Sequence, residues 1–574
     1  MESRILTRIR DPHSNGALSW YFVRFSILFV LCACAVAAQS LPDLLNAELQ
    51  RNFVALKQKG DPPPYFMAYE VTDEESQAIA ASLGSITGNN KAHHRFLDIT
   101  IRLGSPKMDN YHALQGQRPR FTPGVLIPLD DVPNSIRRAL WLSTDRTYRV
   151  AARRLIEIKS NVQTRLAGED QSDDFSAEKA AVNEELPPRV KFSEDEWVAN
   201  LRQWSAELAK YDTVLNSGVT LMVSRQTKYL VSTEGTRLVY GRSFATLGFN
   251  ARGKAPDGMD LITAQNFEAS EPAHLPVPDA ILAAVNHVGQ KLDDLIRAPV
   301  VEPFVGPAIL SGSAAGVFFH EIFGHRIEGH RQKDEAEGQT FTKSLNAPVL
   351  PDFLSVVFDP TRKKLDEVDL NGWYQYDDEG VQARPITVVE NGILKTFLMS
   401  RSPIKGFPNS NGHGRRQPGF EVVSRQSNLI VESKKQVSDA QLRQMLIEEI
   451  KRQNKPYGLF FEQVTGGYTT TQRRGLQAFT VMPLVVYRVY PDGRPDELVR
   501  GVDIVGTPLA SFGKIVATSS RSDVFNGYCG AESGSVPVSA VSPALLVSEI
   551  EIQKKDRGQQ RPPVLPRPST GGGL

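Results

Sequence analysis

Apolar and polar positions alternate with a period of two from residue 65 onward. "YFMAYEV", "ESQAIAASLGSIT" and "FLDITIRLG" carry this signature of half-buried strands, separated by turn-forming and charged residues. The period then lengthens. "NSIRRALWLSTDRTYRVAARRLIEIKSNVQ", from Asn134, repeats its apolar residues at three- and four-residue steps and predicts a long amphipathic helix. "LAGEDQSDDFSAEKAAVNEELPPR" is acidic, poor in large apolar residues and closed by Pro187 and Pro188, so it reads as a mobile connection or surface excursion. Ser193 with Glu196 forms a capping-box signature, and Trp197, Leu201, Trp204 and Leu208 mark one face of a helix that joins two domains.

Strand patterning returns in "GVTLMVSRQTKYLVSTEGTRLVYGRSFATLGFNARG" and continues through the carboxy half, with a hairpin expected at Asn391-Gly392 and a turn at Pro491-Asp492-Gly493. Three helices interrupt these strands. One spans Asp279 to Ile296 with Ile281, Val285, Val288, Leu292 and Leu295 in register, one ends in a histidine cluster, and one is "SDAQLRQMLIEEIKRQ" from Ser438. The expected fold is α+β: an amino-terminal mixed α/β domain over 39–205, holding the acidic segment 166–190, then a mostly antiparallel, barrel-like sheet domain over 206–555 that carries the histidine helix. The end, "RGQQRPPVLPRPSTGGGL", cannot build a core, and residues 556–574 read as a disordered tail. No repeat of solenoid or propeller period is present.

A length of 574 residues calls for two or more domains. A net charge of +1 with 23% charged residues supplies no field that would gather nucleic acid, so nucleic-acid binding is set aside. The amino end differs in kind: Arg4, Arg8, Arg10 and Arg24 precede the apolar "FSILFVLCACAVAAQS". That run is shorter than the ~18 to 20 residues that span a bilayer, so residues 1–38 read as a signal peptide cleaved near Ala38, with no stable membrane span. A bacterial, exported protein, periplasmic or secreted, is expected; Leu31 to Cys34 loosely resemble a lipoprotein cleavage site, the alternative of lipid anchoring. Of the three cysteines, the mature chain keeps only Cys529, a lone thiol in an oxidising compartment.

"FFHEIFGHRIEGH", residues 318–330, concentrates candidate chemistry: three of the chain's ten histidines and two glutamates. A helix advances about 100° per residue, so histidines four apart share a face, whereas His320 and His325, five apart, diverge by about 140°. Joint metal binding therefore requires the helix to widen or end, and Gly324 is the residue type that tolerates unusual backbone angles. Surface histidines are the plainer reading. Against it, the apolar, small "SGSAAGVFF" marks a buried helix, better read as a helix start than a phosphate cradle, and burying Glu321 without a charge partner would cost several kcal/mol. A divalent cation supplies the partner. Two imidazoles favour zinc, whose catalytic sites use three protein ligands and a water; on the residues alone the third ligand is either His330 or Cys529, the latter in a small-residue stretch read as a loop.

The chain resembles the TldD/PmbA family of metallopeptidases, also called modulator of DNA gyrase proteins. "HEIFGH" matches that family's HExxxH element, and "DDEGVQARPITVVENGILKTFL", "NGHGRR", "RGVDIVGTPL" and "CGAESGSVPVSAVSPALLV" agree with its further blocks in order, over roughly 215 to 552. The resemblance implies that His320, His325 and Cys529 bind Zn2+, that Glu321 is the catalytic glutamate, and that His330 is not a ligand. It implies a zinc-dependent peptidase acting on small or unfolded peptides bound by strand addition, in an enclosed homodimer or with a paralogous partner subunit. A secreted peptide-binding or assembly protein with a purely structural zinc is the competing expectation. Asp377, Asp378 and Glu379 suit a turn better than a calcium site, and Arg415 with Arg416 suit a structural loop as well as a grip on a peptide carboxylate or carbonyl.

Overall fold

The first period-two runs fold as strands β1 (Pro64–Ser82) and β2 (Ser85–Ser105), paired antiparallel from Pro64↔Leu103 to Ser82↔Ser85. Leu83 and Gly84 both take positive φ, 47° and 85°, the geometry of a two-residue hairpin turn that matches strand twist. The computed structural model describes residues 40–114, 119–122, 124–162, 170–474, 479–506, 511–555 and 561–565. The expected signal peptide lies outside the described residues, as does most of the expected tail.

Strands β3 (Asn216–Ser232), β4 (Arg237–Lys254) and β5 (Asp260–Ala269) extend the same antiparallel sheet in the order β2-β1-β3-β4-β5. β1 pairs with β3 from Ala68↔Ser232 to Ala81↔Val219, so strands on either side of residue 205 share one sheet. Helices α1 (Leu41–Lys59) and α2 (Pro133–Val162) bury Leu45, Leu49, Ile136, Leu140 and Leu155 against Tyr69, Leu97 and Ile99 of this sheet. α3 (Glu194–Glu207) starts at Ser193, whose side chain accepts the Glu196 N–H, and with α4 (Pro278–Arg297) it packs Leu201, Trp204, Val285, Val288 and Leu292 on β3 and β4.

The acidic stretch, expected to be mobile, is anchored from residue 170 onward; residues 166–169 lie outside the described residues. Phe175 is buried, its ring tilted against Phe66 with centroids 4.8 Å apart and lying beneath the guanidinium groups of Arg102 and Arg401. Asp174 accepts hydrogen bonds from the Asp109 N–H and His112. One aromatic residue among many acids is enough to hold the chain down when cations receive it.

The second sheet closes on itself. Strand β6 (Phe304–Leu310) is followed by α5 (Gly312–Ile322), then β7 (Leu354–Phe358), β8 (Ile386–Glu390), β9 (Asn428–Ser433), α6 (Asp439–Arg452), β10 (Gly458–Thr469), β11 (Phe479–Val489), β12 (Val502–Gly506), β13 (Ile515–Ala531) and β14 (Gly534–Lys554). The path β6-β10-β11-β12-β14 returns to β6, which pairs with β10 at Leu459↔Ala308 and with β14 at Leu545↔Leu310. This is the expected barrel-like sheet, mostly antiparallel, although β6–β10 is parallel. The expected hairpin at Asn391-Gly392 joins β8 to a short strand at Ile393–Leu394, and Ser438 caps α6 in a capping box with Gln441. Among the described residues no helix is long and apolar enough to cross a membrane.

Candidate metal centre

Helix α5 is apolar around its circumference and buried except at Ser313, which suits a helix enclosed by the barrel strands. Ser311 caps it, accepting the Ala314 N–H at 3.3 Å, so "SGSAAG" is a helix start. The small residues have a packing reason: a Cβ on Gly312 would stand 2.5 Å from the Ser542 carbonyl oxygen, and one on Gly316 2.9 Å from that of Ala540. The helix lies directly on the β14 backbone.

α5 ends at Ile322, and a short 3-10 turn over Gly324–Arg326 redirects the chain. That break brings His325 round to His320, with ring centroids 5.1 Å apart. Gly324 is needed for a reason other than the one expected. Its φ is not positive; instead, a Cβ there would fall 1.9 Å from Gln426 Oε1, and Gln426 donates from Nε2 to the His320 carbonyl at 3.3 Å. Arg326 donates to the carbonyls of Glu321 (2.9 Å), Ile322 (3.2 Å) and Thr470 (3.2 Å), satisfying the helix end.

Cys529 is not in a loop but near the end of β13, opposite Val536 of β14. Its Sγ is 3.2 Å from His320 Nε2 and 3.3 Å from His325 Nε2, and the three donor atoms lie within 4.8 Å of one another. Zinc bonds of about 2.3 Å to sulfur and about 2.0 to 2.1 Å to nitrogen in a tetrahedron put donors roughly 3.3 to 3.6 Å apart, so this donor set fits zinc with little movement. His330 is elsewhere: its Nε2 contacts Glu532, and it is not in this donor group.

Electrostatics favour the same reading. Burial opposes the Cys529 thiolate, yet His325, His320 and Arg425 hold its pKa well below the usual thiol range. Burial likewise opposes charge on His325, but Cys529 and Glu328 outweigh it and lift the imidazole to about 10. The Cys529 thiolate and the proton on His325 beside it stand in the place a divalent cation takes. Burial raises the pKa of Glu321 against the pull of the two imidazoles. Glu321 is seated where Gly467 lacks a side chain, since a Cβ there would stand 2.7 Å from Glu321 Cγ. A cleft of about 490 Å3 opens on His320, Glu321, His325 and Cys529, bordered by Gly467, Tyr468 and Glu532.

Around the donors lies a charged shell that sequence reasoning left without roles. Glu328, fully buried, accepts from His325 Nδ1 (3.4 Å) and Arg331 Nε (2.9 Å), and Arg425 Nε stands 3.5 Å from its other oxygen. Burial works against the Glu328 carboxylate, but His325, Arg331 and Arg425 hold its pKa at about 2. Arg425, also fully buried, donates from Nη1 to Ser533 Oγ (2.7 Å) and the Gly534 carbonyl (2.9 Å), and from Nη2 to the Cys529 carbonyl. One ion pair thus ties His325 to the hairpin that bears Cys529. Glu328 had a signal, three residues after His325; Arg425 had none.

In the other stretches several polar groups are taken up by the protein's own backbone. Asp377 accepts the N–H groups of Glu379 (3.0 Å), Val381 (2.9 Å) and Gly414 (2.9 Å), making a turn. Arg415 donates to the carbonyls of Gln426 and Pro537, both at 2.7 Å. In "NGHGRR", His413 is fully buried, its Nδ1–H facing Asn411 and its Nε2 accepting from Ser427 Oγ at 3.2 Å. Burial pushes its pKa down to about 3. The unfolded chain therefore binds a proton here that the fold rejects between pH 6.5 and about 3. Stability is expected to fall with pH across that window, by up to about 1.4 kcal/mol per unit from this group. Denaturant titrations at stepped pH, compared with His413→Gln, check it: the variant should show a slope one proton shallower.

Residues 305–554 match the PmbA/TldA metallopeptidase C-terminal domain. A metalloprotease of Archaeoglobus fulgidus is 30% identical over 239 residues, 42% of this chain and 51% of that protein. A metalloprotease of Methanothermobacter thermautotrophicus is 25% identical over 428 residues, 72% of this chain and 86% of that one. A zinc metalloprotease TldD homolog of Saccharolobus solfataricus is 27% identical over 249 residues, covering 43% and 51%. The match thus spans about half the length of the first and third of these relatives. Among solved structures, a modulator of a DNA gyrase from Thermotoga maritima superposes with a TM-score of 0.59 at 16% identity, over 88% of this chain and 99% of that one. TldE from Thermococcus kodakarensis does so at 0.59 and 13%, over 88% and 100%. The domain match, the named relatives and the shared architecture agree: over residues 305–554 the chain is similar to the C-terminal domain of the TldD/PmbA metallopeptidases, and it shares the fold of the solved structures.

Proposed function

We propose that this protein is a zinc-dependent peptidase that hydrolyses small or unfolded peptides. The carrying observation is the juxtaposition of three convergent donors, His320, His325 and Cys529, with a carboxylate that is not one of them, Glu321, at the floor of an open cleft. A purely structural zinc site closes its fourth position with protein and has no use for that glutamate. The relatives named metalloprotease, one of them a zinc metalloprotease, support the reading.

When bound, zinc supplies Lewis acidity toward a carbonyl and acidifies water. His320 and His325 would hold it through Nε2, and Cys529 through Sγ. Glu321 takes the proton of the attacking water on its carboxylate and passes it to the leaving amide nitrogen; its raised pKa makes it a better base than an exposed glutamate. Glu328 fixes the His325 ring through Nδ1. Extended substrate is bound by strand addition at β10. That strand pairs with β11 along its length, but with β6 only at Leu459–Phe461, and its far part, Gly467 and Tyr468, borders the cleft.

Action as a homodimer, or beside a paralogous subunit as the TldE likeness suggests, and export on the strength of residues 1–38 belong to the same proposal. Digestion of a peptide mixture by the purified protein tests it. Cleavage should stop with chelator and return with added zinc; cleavage that persists after metal removal contradicts it.

A further inference from the structure

A second cavity, of about 240 Å3, lies between the face of the amino-terminal sheet and the loops of the barrel domain, and Tyr528 borders both it and the metal cleft. Its wall is rich in rings: Tyr240, Phe244, Trp373, Tyr374, Tyr376 and Tyr528. Its charges do not balance. Lys228 is paired with Asp378 and stands 3.7 Å from Glu70, and Arg416 is 3.6 Å from Glu70. Asp377 is taken up by backbone N–H groups, and Asp378 further accepts the Arg416 N–H at 2.7 Å.

Arg242 differs from these. It forms no ion pair among the described residues; its Nη2 donates to the neutral Asn371 Oδ1 at 2.5 Å, and Phe244 lies 5.7 Å away. Burial pushes this guanidinium down to about 10, with Arg415 adding repulsion. Arg415 too meets carbonyls and the Tyr374 ring, not an acid. Glu74, the remaining acid on the wall, faces Gln226 across β1–β3, and Gln226 faces Arg242 across β3–β4, leaving two strand spacings, about 10 Å, between acid and cation. Two further wall residues hold unspent donors: the Tyr240 hydroxyl, and Nε and Nη1 of Arg416, are buried without a hydrogen-bond partner.

A cation and unspent donors around a ring-lined cavity fit a ligand with a planar anion at one end and an apolar body at the other. A guanidinium receives a carboxylate through two parallel hydrogen bonds, and aromatic walls receive the apolar body. We propose that this cavity binds an organic carboxylate joined to an aromatic or branched apolar group, with Arg242 gripping the carboxylate. Two sources present that chemistry, the carboxy-terminal residue of a peptide and a free aromatic acid. The peptide source rests on the peptidase reading, and Tyr528, shared by both cavities, places the gripped end beside the cleft.

Calorimetric titration of the full chain carrying Glu321→Gln tests binding without cleavage, so a failure of the hydrolytic reading leaves the result interpretable. The probes are Ala-Ala-Phe as free acid, the same peptide as carboxy-terminal amide, and 3-phenylpropionate. The free acid should bind at least tenfold tighter than the amide, and Arg242→Gln should weaken the acid by about 10- to 100-fold while leaving the amide unchanged. Arg242→Lys, which keeps the charge but not the fork, should recover part of the loss. Competition by 3-phenylpropionate with the peptide acid places both in one pocket; Arg242-dependent binding of 3-phenylpropionate alone assigns the site to free aromatic acids. Equal binding of acid and amide would overturn the proposal. So would an acid preference that survives Arg242→Gln, which would point to the metal centre, or inorganic phosphate that competes more strongly than 3-phenylpropionate.

Discussion

Glu321→Gln is expected to slow peptide cleavage by about 10²- to 10⁴-fold, the contribution of a positioned general base, while leaving zinc content at the wild-type level. The substitution keeps shape and size, so the side chain still fits the space that Gly467 leaves open. Glu321 is not among the three clustered donors, so the amide should not disturb metal affinity. What it removes is a buried carboxylate next to His320 that can accept a proton in the cleft. Rate and metal content measured on the same preparation give the answer. A variant that cleaves at the wild-type rate would show that Glu321 is not the base, and one that loses zinc would make it a ligand.

Arg425→Met is expected to destabilise the fold by about 3 to 5 kcal/mol and to weaken zinc binding with it. Arg425 and Glu328 are both fully buried, and Arg425 further holds the hairpin through Ser533, Gly534 and the Cys529 carbonyl. Removing the guanidinium leaves Glu328, fully buried, with the contacts from Arg331 and His325. Adding Glu328→Gln to Arg425→Met should restore part of the lost stability, because it deletes a buried charge that has lost one of its cationic neighbours, but not the zinc affinity, because His325 then loses its orienting carboxylate. Denaturant midpoints and zinc competition titrations separate the two effects. A single variant as stable as wild type would show that the ion pair does not brace the site.

Much of the local structure was legible because it is written locally. The period-two runs became β1 and β2, the arginine-rich run from Asn134 became α2, Ser193 caps its helix as its spacing to Glu196 foretold, and a helix follows Ser438 as expected. The break after His320 was legible too, since five-residue spacing on an unbroken helix keeps the rings apart. What could not be read depends on partners far away in sequence. Gly324 makes room for Gln426, about a hundred positions on, and no local rule marks that encounter. Cys529 lies in small, polar surroundings that look like a loop, and only pairing with β14 makes them a strand. Barrel closure joins β6 to β14 across more than two hundred residues, and Phe175 is captured by arginines at 102 and 401. The charges that brace the donors, Arg425 above all, occur in stretches whose composition is unexceptional.

The most direct measurement is metal content by elemental analysis of the purified protein beside Cys529→Ala and His330→Ala. The account predicts about one zinc per chain in the wild type and in His330→Ala, and at most a small fraction of that in Cys529→Ala, because three donors are required for a tight catalytic site. Full zinc in Cys529→Ala, or zinc lost on removing His330, would contradict a centre built from His320, His325 and Cys529.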